Sequence, residues 1–133
     1  MLEDFIESNS LNARLFHFRK SNESSASCKL FIPRNGFPVL VVKLAKDKIN
    51  AEKLQKAIAG IYQEATEENC LSITGCSLEY LPPISIYGMV LLLDKKAAQH
   101  DLLLFATAEE QTLEISPKEI LELNEESKIA DIT

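Results

Sequence analysis

Lys29 is the residue whose type and position most clearly suggest chemistry. It begins a segment, Lys29 to Ile32, whose apolar and β-branched side chains predict a β-strand, and it follows a serine-rich segment over 21–27 that predicts a loop or flap. A lysine held in a cleft beside such a loop can neutralise a phosphate or polarise an ester carbonyl. A lysine that only faces solvent is the alternative, and the residue pattern leaves both open.

Other reactive side chains lack a spacing that would assemble a site. His17 could act as a base toward a thiol, but nothing in the sequence places it beside Cys28, Cys70 or Cys76. The cysteines include no CxxC pair and, with two histidines, give no metal-ligand spacing, so we expect free thiols, no metal and no cofactor. The four glycines are dispersed, which excludes a P-loop or dinucleotide-binding fingerprint. The carboxylates at 64–68 and 109–110 fit helix starts and solvent better than acid–base catalysis.

The charge is divided unevenly along the chain. The formal net charge is −6, but residues 1–60 carry ten Lys and Arg against six Asp and Glu, and residues 61–133 carry four against fourteen. The basic residues of the first half are Arg14, Arg19, Lys20, Lys29, Arg34, Lys43, Lys46, Lys48, Lys53 and Lys56. They can form a local surface for a phosphate backbone, or they can occupy solvated faces of a strand and a helix. The overall sign excludes a uniformly basic DNA-binding protein, so we expect no DNA partner.

The length of 133 residues fits one domain over 1–133, since single domains cluster at about 100–150 residues. The acidic start, Met1 to Glu7, lacks the basic and apolar regions of a signal peptide. The longest apolar runs, Phe37 to Val42 and Met89 to Leu93, are far shorter than the roughly 20 residues that span a bilayer. We therefore expect a cytoplasmic protein with no membrane partner.

Hydrophobic periodicity and cap residues predict the elements that must position Lys29. The first half is predicted to contain an opening helix with Leu2, Phe5 and Ile6, a strand over Leu15 to Phe18, a hairpin of Lys29 to Ile32 with Pro38 to Leu44, and a helix from Asn50 to about Gly60. The second half is predicted to contain a helix from Thr66 to Thr74, strands over Met89 to Asp94, Leu102 to Ala106 and Thr112 to Ile115, a helix after Ser116, and a final strand over Ile129 to Ile132. This order predicts a single mixed α/β (α+β) domain.

Several short strings occur in an order that one known family shares. They are Ser27-Cys28-Lys29-Leu30-Phe31, Val39-Leu40-Val41-Val42, Lys48 to Leu54, Ala65-Thr66-Glu67-Glu68, Thr74-Gly75, Leu91 to Asp94 and Ser116 to Ile120. Together they resemble the YbaK/prolyl-tRNA synthetase-associated domain family of trans-editing deacylases, over residues 27–133 and more weakly over residues 1–18. The resemblance implies a mixed, curved β-sheet with short flanking helices.

The resemblance also implies a pocket that holds the aminoacyl 3′ end of a tRNA and hydrolyses its ester with water, without a protein nucleophile. Lys29 is then the contact to the terminal phosphate or to the ester carbonyl. The implied catalytic residue is Lys29, and the implied substrate-binding residues are Glu79, Tyr80, Pro83, Asp94 and Thr107. The implied partners are the aminoacyl-tRNA 3′ end and, as a further expectation, an aminoacyl-tRNA synthetase.

The sequence departs from the family where glycines are usual. Glu79 and Tyr80 replace glycines of the substrate loop, and Phe105-Ala106-Thr107 replaces a glycine-rich strand end, so side chains stand where the family leaves room. These side chains can narrow the pocket, change which aminoacyl group fits, or close the pocket. Three functions therefore stay open: an editing deacylase, a catalytically impaired module that binds tRNA or a synthetase, and a binder of an unrelated small molecule.

Overall fold

The computed structural model describes residues 2, 4, 6, 12–58, 60–84 and 89–133. Its strands are β1 (Arg14–Phe16), β2 (Ser25–Pro33), β3 (Val39–Leu44), β4 (Tyr62–Glu64), β5 (Val90–Asp94), β6 (Leu103–Ala108), β7 (Gln111–Ile115) and β8 (Ser127–Ala130). Its α-helices are α1 (Ala51–Ala57), α2 (Glu67–Thr74) and α3 (Pro117–Leu123), and two 3₁₀ turns cover Leu78–Tyr80 and Ala97–Gln99. None of the described helices has the length and apolar content needed to cross a membrane. This mixture of strands and short helices confirms the predicted α/β class.

The strands form one mixed sheet in the order β1-β7-β6-β2-β3-β5-β8, with β4 paired to β2 beside this path. Antiparallel pairs join β2 to β3, β2 to β4, β6 to β7 and β1 to β7. Parallel pairs join β2 to β6, β3 to β5 and β5 to β8. The predicted hairpin is confirmed, because β2 and β3 pair with Lys29 opposite Val41.

Apolar side chains pack against both faces of the sheet. On one face the buried cluster includes Leu30, Leu40, Leu91, Phe105 and Ile120. On the other face it includes Val39, Val41, Leu92 and Ile132, with Leu54 from α1 and Ile58 just after it. Burial on both faces explains why β3 and β5 are almost continuous apolar runs in the sequence.

The side chain that precedes each of the three α-helices caps its first turn. Asn50, Thr66 and Ser116 accept hydrogen bonds from the backbone N–H groups of Lys53, Asn69 and Glu119, respectively. Gly75 ends α2 in the left-handed conformation, with a φ of 77° that glycine adopts without strain. These contacts confirm the predicted helix starts, although α1 ends at Ala57 rather than near Gly60.

The structure corrects several predicted boundaries. β2 begins at Ser25, inside the predicted loop, because Ser25 and Ala26 pair with β6 and this pairing outweighs the low strand propensity of serine. β1 ends at Phe16, two residues before the predicted end, and β8 begins at Ser127, two residues before the predicted start. The short strand β4 had no sequence signal of its own. The predicted opening helix includes Phe5, which lies outside the described residues.

Candidate active site

A gap opens in the sheet where β2 and β6 separate. The two strands pair only at Ser25 and Ala26 of β2, and β4 takes up the same edge of β2 from Phe31 onward. Among the described strands, none pairs with this edge at residues 27–29. The 3₁₀ turn Leu78–Tyr80 packs against both β2 and β6. The resulting cleft lies just beyond a parallel strand pair, a common location for ligand sites.

The cleft contains two cavities that share a wall. The smaller has a volume of about 280 Å³ and the larger a volume of about 790 Å³. The shared wall consists of Ser27, Cys28, Ala45, Leu78 and Glu79. The smaller cavity extends toward β6, where Phe105 and Ala106 line it, and the larger extends over β3 toward the start of α1. Glu79, Tyr80 and residues 105–107, which were expected from the sequence to narrow or close a pocket, therefore leave the cleft open.

Lys29 lies on the wall of the larger cavity. Its Nζ donates to Glu64 Oε1 at 2.9 Å, and the two side chains are 43% and 55% exposed. Strand pairing sets this contact, because Glu64 lies opposite Phe31 in the β2–β4 pair. An ion pair this exposed contributes only about 0–1 kcal/mol to stability, so an anionic or carbonyl ligand can displace Glu64 at small cost.

Lys43 is a second lysine on the wall of the larger cavity. It lies opposite Ser27 in the β2–β3 pair and is only 5% exposed, which excludes for this lysine the solvated face that was one of the two alternatives. The sequence held a signal for this burial, because Lys43 stands inside the apolar run from Val39 to Leu44, all of whose residues are buried. Sequence analysis alone did not single out this residue as part of a site.

The surroundings of Lys43 disfavour its charged form. Burial is the largest influence and lowers the pKa of Lys43 below its ordinary value, and the charge of Lys29 lowers this pKa further. Asp47 and Asp94 act in the opposite direction, but among the described residues neither forms an ion pair with Lys43. The Nζ of Lys43 donates to the Leu44 carbonyl at 3.3 Å, a long hydrogen bond. The ammonium group is therefore poorly compensated where it lines the cavity.

Glu79 is the predicted substrate-binding residue that lines both cavities. The fold fixes the turn that carries it, because the Glu67 carboxylate accepts from the Leu78 backbone N–H at 3.2 and 3.3 Å. The Tyr80 backbone N–H donates to the Ser77 carbonyl at 3.2 Å. The structure thus brings Lys29 and Glu79, which are far apart in the sequence, to the same cavity.

Tyr80 and Pro83 belong to the same loop but line neither cavity. Tyr80 is half-buried, and Pro83 is buried. The Pro83 carbonyl accepts a hydrogen bond from Asn124 Nδ2 at 3.1 Å, which ties the loop to the end of α3. Their positions indicate that they support the loop, and Tyr80 does not fill the cleft.

Asp94 and Thr107 also lie outside the walls of the two cavities. Asp94 is fully buried, and its carboxylate accepts from the Ile132 backbone N–H at 3.1 Å and from the Thr133 hydroxyl at 2.9 Å. The Thr107 hydroxyl donates to Gln111 Oε1 at 2.9 Å. In these positions Asp94 holds the last residues of the chain and Thr107 bonds across the β6–β7 pair.

Cys28 lies on the shared wall, but its chemistry does not fit a nucleophile. Burial raises the pKa of the Cys28 thiol far above its ordinary value, and the opposing effect of Lys43 is smaller. The thiolate is the reactive form, so Cys28 stays protonated and inert at neutral pH. Attack on a substrate in this cleft therefore has to come from another group, such as water.

The chain matches one family model in sequence and several solved structures in fold. Residues 13–123 match the family model of the aminoacyl-tRNA editing domain. The fold is similar to that of hypothetical protein APE2540, with a TM-score of 0.86 and 19% identity over 98% of this chain and 97% of that one. It is also similar to a protein proposed as a trans-editing enzyme for prolyl tRNA synthetase, with a TM-score of 0.85 and 16% identity over 99% of this chain and 94% of that one. No curated protein matches the chain.

The sequence match and the structural similarity carry different weight. Identities of 19% and 16% to the two solved structures show a shared fold and leave the substrate open. The family model spans all the elements from β1 to α3, which include both cavities and Lys29. It is the family that the strings around Lys29, Thr66 and Ser116 predict. The chain therefore belongs to the aminoacyl-tRNA editing domain family.

Proposed function

We propose that this chain is a deacylase that hydrolyses the ester of a mischarged aminoacyl-tRNA in trans. The observation that carries the proposal is the open cleft beside Lys29, at the point where β2 and β6 separate. A cleft filled by Tyr80 or Glu79 would have favoured a role in binding alone. The two cavities together instead offer enough volume for the aminoacylated end of a nucleic acid.

The two cavities differ in a way that suits the two parts of this substrate. The smaller cavity has Leu81 and Phe105 on its wall and suits a small aminoacyl side chain. The larger cavity is lined by Lys29, Lys43 and Lys48 and suits the terminal nucleotide with its phosphate. In this placement the ester lies beside the shared wall, next to the edge of β2 at residues 27–29, with which none of the described strands pairs.

The proposed hydrolysis uses water and donors that the fold already holds in place. Lys29 exchanges Glu64 for the terminal phosphate or for the ester carbonyl. Alternate residues of an antiparallel strand direct their N–H groups away from the partner strand. The Leu30 carbonyl accepts from Ala65 at this edge, so Cys28, two residues earlier, is the residue of 27–29 whose N–H faces the gap. It adds a backbone donor for charge that develops on the carbonyl oxygen. The oxygen of water bonds to the carbonyl carbon, the bond to the ribose oxygen breaks, and that oxygen takes up a proton.

A binding module without catalysis is the second candidate, and Glu79 is the observation that favours it. Its carboxylate lies on the shared wall, where negative charge would develop during hydrolysis. A nearby like charge raises the energy of that state. Such a module would bind tRNA or a synthetase through the same cleft and leave the ester intact.

The test is to incubate the protein with a panel of correctly charged and mischarged tRNAs and to measure the amino acid released. We expect at least one mischarged ester to be hydrolysed faster than in buffer, and Lys29→Ala to reduce that rate by about 100-fold. Lys118→Ala is the matched control, because Lys118 is exposed, lines neither cavity and lies in the acidic half of the sequence. If every ester stays intact while tRNA binds at low salt, the binding module replaces the deacylase.

A further inference from the structure

Glu79 is the charged residue of the wall that the two cavities share; the other residues there are Ser27, Cys28, Ala45 and Leu78. Its side chain is exposed, and within the described part of the chain its carboxylate has no hydrogen bond or ion pair. Two other carboxylates, Asp47 and Glu64, line only the larger cavity, and Glu64 is held by Lys29. Glu79 is thus an uncommitted negative charge at the junction of the cavities.

The position of this charge is set by the fold. Glu79 lies in the middle of the 3₁₀ turn whose first N–H group is bonded to the Glu67 carboxylate. On either side of Glu79, Leu78 and Leu81 face the cavities and anchor the turn against the sheet. The backbone that carries this carboxylate is therefore fixed beside the cleft before a ligand arrives, and a ligand has only the rotamers of the Glu79 side chain to order.

The chemistry of an aminoacyl ester places a cation at this junction. If the side chain occupies the smaller cavity and the nucleotide the larger, then the α-carbon that joins them passes the shared wall. The α-amino group on that carbon is largely protonated near neutral pH, since α-amino groups titrate at about pH 7.7–8.0 in peptides. Glu79 is the acidic side chain that borders the smaller cavity among the residues that line it.

We infer that Glu79 binds the α-ammonium group of the aminoacyl ester and selects substrates whose amino group is free. This inference rests on the proposed function, because it takes the placement of the ester from it. It gives Glu79 a positive role in recognition: the same carboxylate that disfavours the developing oxyanion holds the substrate's ammonium group at the junction of the cavities. Esters that lack this charge, such as hydroxyacyl or N-acylated esters, are then disfavoured.

The test uses stable analogues, so that binding is measured apart from hydrolysis. The probes are 3′-amino-3′-deoxyadenosine 5′-phosphate carrying an alanyl or a lactyl group in amide linkage, which differ only in an ammonium or a hydroxyl group on the α-carbon. Isothermal calorimetry gives the affinity ratio of the two probes for the wild type and for Glu79→Gln. Glu68→Gln is the matched control, because Glu68 is an exposed carboxylate on α2 that lines neither cavity.

We expect the wild type and Glu68→Gln to prefer the alanyl probe by about fivefold and Glu79→Gln to bind both probes with similar affinity. An unchanged affinity of Glu79→Gln for the lactyl probe shows that the cleft is intact. Equal binding of the two probes by the wild type, or a preference that survives in Glu79→Gln, overturns the inference. If esters are hydrolysed in that case, the proposed function stands alone; if no ester is hydrolysed and neither probe binds, both fail.

Discussion

Replacing Lys43 by methionine is expected to stabilise the protein. The wild-type side chain is 5% exposed, its ammonium donates one long hydrogen bond of 3.3 Å, and among the described residues no carboxylate pairs with it. Methionine has a similar length and no charge to desolvate, so Lys43→Met removes the burial cost and keeps most of the packing. We expect a gain of about 1–3 kcal/mol at neutral pH, by analogy with other poorly compensated buried ions.

The pH dependence gives this prediction a second, independent readout. Because the pKa of Lys43 is lowered in the folded protein, the unfolded chain binds more protons between the folded and the unfolded pKa. The contribution of Lys43 to the wild type's free energy of unfolding therefore increases as pH rises through this interval. The advantage of Lys43→Met is full below the folded pKa and disappears above the ordinary lysine value of about 10.4.

Urea unfolding at neutral pH and near pH 10 measures both effects, with ΔG obtained by linear extrapolation. A gain of 1 kcal/mol in a chain of 133 residues corresponds to an increase in Tm of about 3–5 °C. Lys46→Met is the control, because this exposed lysine should change stability by less than about 0.5 kcal/mol. If Lys43→Met is less stable than the wild type by more than about 1 kcal/mol, or if its advantage grows with pH, the reasoning about burial is refuted.

Three further predictions concern the side chain that anchors the loop at Pro83, the ion-pair partner of Lys29 and the reactivity of the thiols. Asn124→Ala is expected to lower the free energy of unfolding by about 1–3 kcal/mol, because its buried Nδ2 donates to two backbone carbonyls; urea unfolding measures this loss. Glu64→Gln is expected to change stability by less than about 1 kcal/mol and to raise the affinity for adenosine 5′-phosphate, because Lys29 loses an exposed competitor; calorimetry against adenosine tests the phosphate dependence. Cys76 is half-buried and is expected to react with iodoacetamide at neutral pH well before Cys28, whose pKa is raised by burial; peptide mass spectrometry gives the order, and equal rates would contradict it.

Local signals were sufficient to predict most of the fold. The caps at Asn50, Thr66 and Ser116 mark helix starts through short-range hydrogen bonds, and these depend only on neighbouring residues. The buried strands β3 and β5 were visible as apolar runs. The start of β2 at Ser25 and the strand β4 were not predictable in this way, because long-range pairing stabilises residues with weak strand propensity.

The candidate site was predictable only in part. Lys29 stood out because a lysine at the start of an apolar strand is unusual, and the loop residue Glu79 stood out because it replaces an expected glycine. Lys43 was not singled out because it is one of ten basic residues in the first half of the sequence. The burial of β3 within the sheet is what distinguishes Lys43 from the exposed Lys46. The roles of Tyr80 and Pro83 beside the cleft depend on tertiary contacts such as the bond from Asn124.

The cleft itself arises from how the long strand β2 shares its edge. β2 has nine residues; β6 covers the edge opposite β3 at its beginning and β4 covers it from Phe31, so none of the described strands pairs with residues 27–29 at that edge. The β3 register then sets Lys43 opposite Ser27, two residue pairs from Lys29 along β2, and the 3₁₀ turn brings Glu79 to the same gap. Two lysines and a carboxylate line one cavity because β6 separates from β2 before the pairing of β2 with β4 begins. No local pattern contains that arrangement, since it is a property of strand pairing across most of the chain.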